Sequence, residues 1–207
     1  VEGRFPEPAA VALAVASFLV FTLLYGITSE IGHSLYPKYR LHFAWESRIP
    51  LVPAAAVAYL SVGLMIVPIL RTFPTFAQLW PVAVTLAAQQ SVAAAIFLIF
   101  PLQGGYPKDP PGRGLWGGIW ELSNSMALSH NWFPSLHVAL SSTAVLVLWR
   151  AWGRVPWGMI AWALLVSLST LFVHQHHLAD IAGGMALAWA SVRLVFDRMG
   201  AVQAGPR

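Results

Sequence analysis

Between Trp157 and Phe196 the chain reads WGMIAWALLVSLSTLFVHQHHLADIAGGMALAWASVRLVF. Two apolar runs, Trp157 to Val173 and Leu178 to Phe196, flank a short polar hinge, His174-Gln175-His176-His177. The first run has no charged residue, and the second has only Asp180 and Arg193, near its two ends. A helix of about 20 mostly apolar residues crosses the hydrocarbon of a bilayer. The stretch therefore reads as two membrane-crossing helices that meet at a histidine-rich turn on one surface.

Four further stretches fit the same template: Ala9 to Ile27, Leu51 to Leu70, Ala77 to Phe100, and Ser135 to Trp149, which starts on polar residues. The composition agrees. Of 207 residues, 57% are hydrophobic and 10% charged, with a mean hydropathy of +0.66. Soluble domains are about 45–50% apolar and about 25% charged. Such a chain is too apolar for disorder. It has no cysteine, which excludes disulfides, thiolate metal sites and Cys nucleophiles. Ten Trp and fifteen Pro suit helices with aromatic belts and breaks at their ends. The net charge of +4 comes without any basic run, so no nucleic-acid partner is expected. The expected fold is all-α, an integral membrane bundle of six transmembrane helices forming a single domain, 1–207. Residues 28–50 form an interfacial connection, and residues 101–134 the expected active-site loop. The first stretch is too long for a signal peptide and shows no small-residue cleavage site.

An even number of spans puts both termini on one side. That side carries Arg4, Arg71, Arg150, Arg154, Arg193, Arg198 and Arg207, against Lys38, Arg40, Arg48, Lys108 and Arg113 on the other. The positive-inside rule then places the termini in the cytosol and the opposite face outside it. All seven histidines (His33, His42, His130, His137, His174, His176 and His177) fall on that opposite face. Imidazole serves as acid, base, nucleophile or ligand near neutral pH, so their crowding marks a candidate site.

Two motifs meet there. Phe133-Pro134-Ser135-Leu136-His137 opens the fourth span, and Ser169 to Asp180 links the fifth to the sixth. From His137 to His176 the chain crosses the membrane and returns, which brings both to one level. His176 and Asp180 share a helix face at i and i+4. A carboxylate there can fix the imidazole tautomer and leave Nε2 free to attack, or form an ordinary structural pair. The first-turn amides after Pro134-Ser135 make an anion site. The loop from Pro101 to Gly114 adds Lys108 and Arg113 as possible phosphate clamps, and glycines that let backbone approach a ligand. Tyr106, Trp116, Trp120 and Trp132 read mainly as interfacial belt residues. The aromatic segment around Tyr39, Phe43 and Trp45 reads as a membrane anchor more than a cap on the site. Gly183-Gly184 reads as a close helix contact.

Taken together these residues resemble the type 2 phosphatidic acid phosphatase superfamily. Its signatures are a Lys/Arg loop after the third span, Pro-Ser-x-His at the fourth, and Ser-Arg-x5-His-x3-Asp across the fifth and sixth. Here the second is Pro134-Ser135-Leu136-His137, and the third is Ser169-Thr170, five residues, His176, three residues, Asp180. Leu136, the segment Arg48 to Pro53 and Tyr59-Leu60-Ser61 look like the branch that includes inositol phosphorylceramide synthases. Two positions depart from the pattern. Thr170 replaces the usual Arg, and Lys108 and Arg113 are only five apart with no Pro following. The resemblance implies a metal-independent lipid phosphatase or phosphotransferase that works through a phosphohistidine and needs no cofactor. His176 would be the nucleophile, Asp180 its orienting partner, and His137 the proton donor and acceptor. Ser135, Lys108 and Arg113 would hold phosphate oxygens. The partners implied are a membrane lipid phosphate and, for transfer, an alcohol.

Two other readings compete. His174, His176 and His177 with His130 and His33 could ligate the metal of a membrane oxidase or hydroxylase, although their spacing does not repeat. A non-catalytic lipid transporter with a His-lined cavity is the third. A serine protease is disfavoured, because no Gly-x-Ser-x-Gly is present.

Overall fold

The computed structural model describes residues 5–34, 39–102, 104–107, 112–126 and 131–200, the side chains of 32–34 excepted. Among the described residues the fold is all-α, with seven helices and no strand. They are α1 (Pro8–Ser34), α2 (Pro53–Thr72), α3 (Phe76–Ile99), α4 (Leu115–Met126), α5 (Leu136–Trp152), α6 (Trp157–Phe172) and α7 (Leu178–Met199). By length and composition α1, α2, α3 and α7 can cross a membrane, and α5 and α6 are shorter apolar helices. Four long apolar helices suggest a multi-pass membrane protein.

Local chemistry sets most of the boundaries. Thr75 caps α3, accepting from Gln78 N, and the Gln78 side chain returns to Thr75 N. Ser135 caps α5, and Gly153, with a left-handed φ of +67°, ends it. Asp180 closes the first turn of α7 by accepting from His177 N at 2.8 Å. α2 is not a continuous α-helix. It passes through a 3-10 stretch at Ser61–Met65, where Ser61 Oγ accepts from Trp162 Nε1 of α6.

Helix α5 is the hub, packed against α2, α3, α6 and α7, while α1 lies along α3. The largest core cluster sits toward the end remote from the histidines and includes Phe73, Leu79, Val147 and Phe196. The same end is tied by Arg150, whose guanidinium makes two bonds to Asp197 at 2.9 and 3.1 Å. The opposite end gathers the starts of α5 and α7, the end of α6, and the loops before α2 and after α3. That convergence builds the candidate site.

Two expectations about the connections change. Residues 28–50 are not all interfacial loop, because α1 continues to Ser34. The 101–134 loop contains α4, a 12-residue helix docked on the start of α2. Its Trp120 Nε1 donates to Val173 O at 3.0 Å.

Candidate active site

His176 lies in the turn between α6 and α7. Thr170 O accepts both Gln175 N and His176 N, at 3.0 and 3.1 Å, which folds the chain back at the end of α6. His174 takes up the reversal with a left-handed φ of 61°. A non-glycine residue in that region costs about 1 kcal/mol or more. The His174 ring stacks on Tyr106 at 4.2 Å, and its Nε2 lies 2.9 Å from Ile49 O. The turn therefore holds His176 in a fixed place, buried to 4% exposure.

Asp180 is 1% exposed. Its Oδ2 stands 3.6 Å from His176 Nδ1. That is longer than a hydrogen bond. His176 Nδ1 and Asp180 Oδ1 are buried with no hydrogen-bond partner among the described residues. A buried polar atom without a partner is costly and calls for an explanation.

His137, on the first turn of α5, has its ring centroid 6.3 Å from that of His176, with planes at 52°. Tyr59 of α2 stacks flat on His137 at 3.8 Å. The starts of α5 and α7 are stitched together, with Ser135 N donating to Asp180 O at 3.0 Å. They approach this closely because of the glycines. A Cβ on Gly184 would collide with the Ser135 carbonyl and Val138, and one on Gly183 with the Phe133 ring. The close helix contact expected at Gly183-Gly184 is present.

The expected phosphate contacts fare differently. Ser135 is fully buried and its Oγ accepts from Val138 N at 3.4 Å, so the hydroxyl works as a helix cap. Arg113 is exposed between two left-handed glycines, Gly112 and Gly114, and makes no hydrogen bond or ion pair among the described residues. Lys108 lies outside the described residues. The loop glycines do bring backbone close to something, but it is protein: a Cβ on Gly104 would meet the Trp132 ring, and one on Gly105 the His42 ring.

A second acid–imidazole pair lies beside the first. Glu46, fully buried on the short turn Ala44–Arg48, has Oε2 3.0 Å from His177 Nδ1. The same oxygen accepts from Leu178 N at 3.0 Å, and Oε1 accepts from Phe43 N at 2.8 Å. Gly105 N donates to His177 Nε2 at 3.0 Å. That bond makes Nε2 the acceptor and places the His177 proton on Nδ1. Burial pushes the His177 pKa below its ordinary value, and the bond to Glu46 only partly offsets it. For Glu46 burial acts upward, but the Phe43 and Leu178 amides and His177 outweigh it and hold the carboxyl below its usual range. Tyr106 donates to His176 O at 3.0 Å, and burial, then the charges of Glu46 and Asp180, drive its phenol pKa up. It remains a donor.

Sequence reasoning does not single out Glu46 beside the site and gives Tyr59 and Trp132 other roles, whereas His42 is one of the clustered histidines. His42 stacks on His177 at 4.6 Å, and Trp132 lies edge-on to His176 at 6.2 Å. Residues 39–46 thus do more than anchor. Phe43 and Trp45 are exposed, while His42 and Glu46 turn inward and cover the site. The one signal for Glu46 in the sequence is a lone acid within an aromatic stretch. Among the described residues no group of three or more His, Asp or Glu is arranged to hold a metal, and the His33 and His130 side chains lie outside them.

Residues 9–203 match the PAP2 superfamily, which is nearly the whole chain. The chain belongs to that superfamily, and a phosphate-ester substrate follows from the membership. No curated protein and no solved structure matches the chain significantly.

Proposed function

We propose that the protein is a membrane lipid phosphatase or phosphotransferase acting through a phosphohistidine on His176. The observation that carries the reading is the juxtaposition, in a chain of this superfamily, of His176 facing Asp180 with His137 6.3 Å away. A phosphoryl group lying about 3 Å from each reactive nitrogen would fit between two such rings.

His176 Nε2 attacks phosphorus while the P–O ester bond breaks. His137 gives its proton to the departing alcohol. It then takes a proton from water or an acceptor alcohol, whose oxygen displaces the histidine and restores His176. Asp180 sets the tautomer of His176 and offsets the positive charge on the ring. The positive helix ends at α5 and α7 favour a phosphate between them. Ser135, Lys108 and Arg113 complete the phosphate contacts on this reading, and no metal takes part. The chain forms one domain of six spans, α1, α2, α3, α5, α6 and α7, with residues 101–134 as the loop over the site. The termini are cytosolic and the site lies outside, at headgroup depth. Leu136 and the Arg48 to Pro53 segment favour the inositol phosphorylceramide synthase-like branch.

The test is phosphate release by purified protein across a panel of lipid phosphates, with and without alcohols. Release without alcohol marks a hydrolase, and lipid product formed only with alcohol marks a transferase. A fully active His176→Ala variant would refute the nucleophile assignment.

A further inference from the structure

We propose that Glu46 is a positioning residue for the nucleophile, acting through His177 and the first turn of α7. The inference rests on the reading of His176 given above. Glu46 comes from the connection between α1 and α2, 131 residues before His177. It is fully buried, and its two oxygens accept three hydrogen bonds. An apolar side chain would fill that volume without the cost of burying a charge. The carboxylate is therefore best explained by the donors it gathers.

Those donors belong to the frame around His176. Leu178 N is one of the first-turn amides of α7 that no helical carbonyl can satisfy, and Glu46 satisfies it from a distant segment. Its neighbour His177 N is held by Asp180, the carboxylate facing His176. His177 relays the contact to a third segment. With Nδ1 toward Glu46, its Nε2 accepts a hydrogen bond from Gly105 N–H, and the next residue, Tyr106, donates to the His176 carbonyl. Three segments thus pin the backbone on both sides of His176 and leave its ring free. Without Glu46 the proton on His177 has no fixed site, the bond to Gly105 is lost in one tautomer, and the start of α7 that carries Asp180 is released. The distance between Asp180 and His176 then drifts.

The experiment uses the full chain in detergent, with a short-chain phosphatidic acid as substrate. Two variants are compared with wild type. Glu46→Leu fills the space and removes both acceptor oxygens with their three hydrogen bonds, and Glu46→Gln keeps one oxygen. Asp197→Asn, at the opposite end, serves as a control for general destabilisation. The decisive readout is the nitrogen NMR signal of the His176 ring in histidine-labelled protein, assigned with His176→Ala. It reports the tautomer directly. The expected result is a His176 ring that is mainly Nδ1-protonated in wild type and Asp197→Asn, and a tautomer mixture in Glu46→Leu. The kcat should fall about 10- to 100-fold in Glu46→Leu, as expected for a misplaced group, with KM little changed. Glu46→Gln should fall between. If Glu46→Leu does not fold, Glu46→Gln carries the test by the same readouts. A His176 signal identical to wild type overturns the proposal even if the rate falls, because the loss is then only one of folding. Wild-type protein that releases no phosphate from any lipid phosphate overturns the reading of function instead. The His176 signal still decides the role of Glu46 in that case.

Discussion

Replacing Asp180 with Asn isolates the charge of the carboxylate from its shape. The Asn carbonyl can take the place of Oδ2, keep the bond from His177 N, and so preserve the first turn of α7. Its amide group then falls where Oδ1 now sits, buried and without a partner. Orphaned donors there cost about 1–3 kcal/mol of stability. The effect on turnover is separate and larger. On the proposed mechanism the His176 ring turns cationic as it takes up the phosphoryl group, 3.6 Å from the carboxylate oxygen, and at an effective dielectric near 20 the attraction is about 4–5 kcal/mol. Both groups are almost fully buried, so water screens the attraction little. If half to all of that charge has developed in the transition state, kcat falls by about 10²–10³-fold. KM should change little, because the free substrate complex lacks the ring charge. The assay is phosphate release under saturating substrate, with thermal unfolding measured in parallel. A folded Asp180→Asn protein with kcat near that of wild type would show that Asp180 is a helix-capping residue and nothing more.

Orthovanadate should inhibit by occupying the site as a pentacoordinate phosphorus mimic, whereas EDTA should leave the rate unchanged. Strong inhibition by EDTA would return the histidines to the metal reading. Gly184→Ala should yield little folded protein, because the new methyl collides with the Ser135 carbonyl and Val138; wild-type yield and melting would show that α5 and α7 can separate at no cost. Stability should fall on acidification. Native His177 has a pKa depressed below 6.5, so as pH drops through that value the unfolded chain takes up a proton that the native chain refuses. Glu46, depressed below 4.5, adds a second loss only at lower pH. The melting temperature should therefore decline from about pH 8 to about pH 5, less steeply in His177→Gln. A flat profile, or equal slopes in the two proteins, would contradict this.

What could be read in the sequence was local. The apolar runs and the Pro134-Ser135-Leu136-His137 helix start lie within a few turns and stand where the pattern puts them. The expected shared helix face of His176 and Asp180 does not form, because α7 begins only at Leu178 and His176 sits in the turn before it, yet the four-residue spacing still brings the two side chains within 3.6 Å. What escaped was settled by distant partners. Nothing near Ser61 announces that its hydroxyl will accept from Trp162, 101 residues away, where α2 passes into its 3-10 stretch. α4 was hidden because Gly117-Gly118 and its Ser and Asn residues read as loop. The bond between Glu46 and His177 spans 131 residues, and no spacing rule reaches so far. Arg113, which the sequence offers as a phosphate clamp, stands on an exposed turn between Gly112 and Gly114.

Adjacent His176 and His177 each face a carboxylate, and contact with an acid does not by itself separate a reactive imidazole from a structural one. The far nitrogen does. In His177 it already accepts the Gly105 amide, and the ring is packed against His42, Tyr106 and Trp132. Its hydrogen-bonding capacity is spent, and attack on phosphorus would first require breaking the contact that holds the 104–106 segment in place. In His176 no described residue hydrogen-bonds Nε2, while the backbone on both sides is fixed. A nucleophile needs a free lone pair on a ring that does not wander. Of the two, only His176 combines these, and its looser 3.6 Å approach to Asp180 leaves room for the bond to shorten as the ring gains charge.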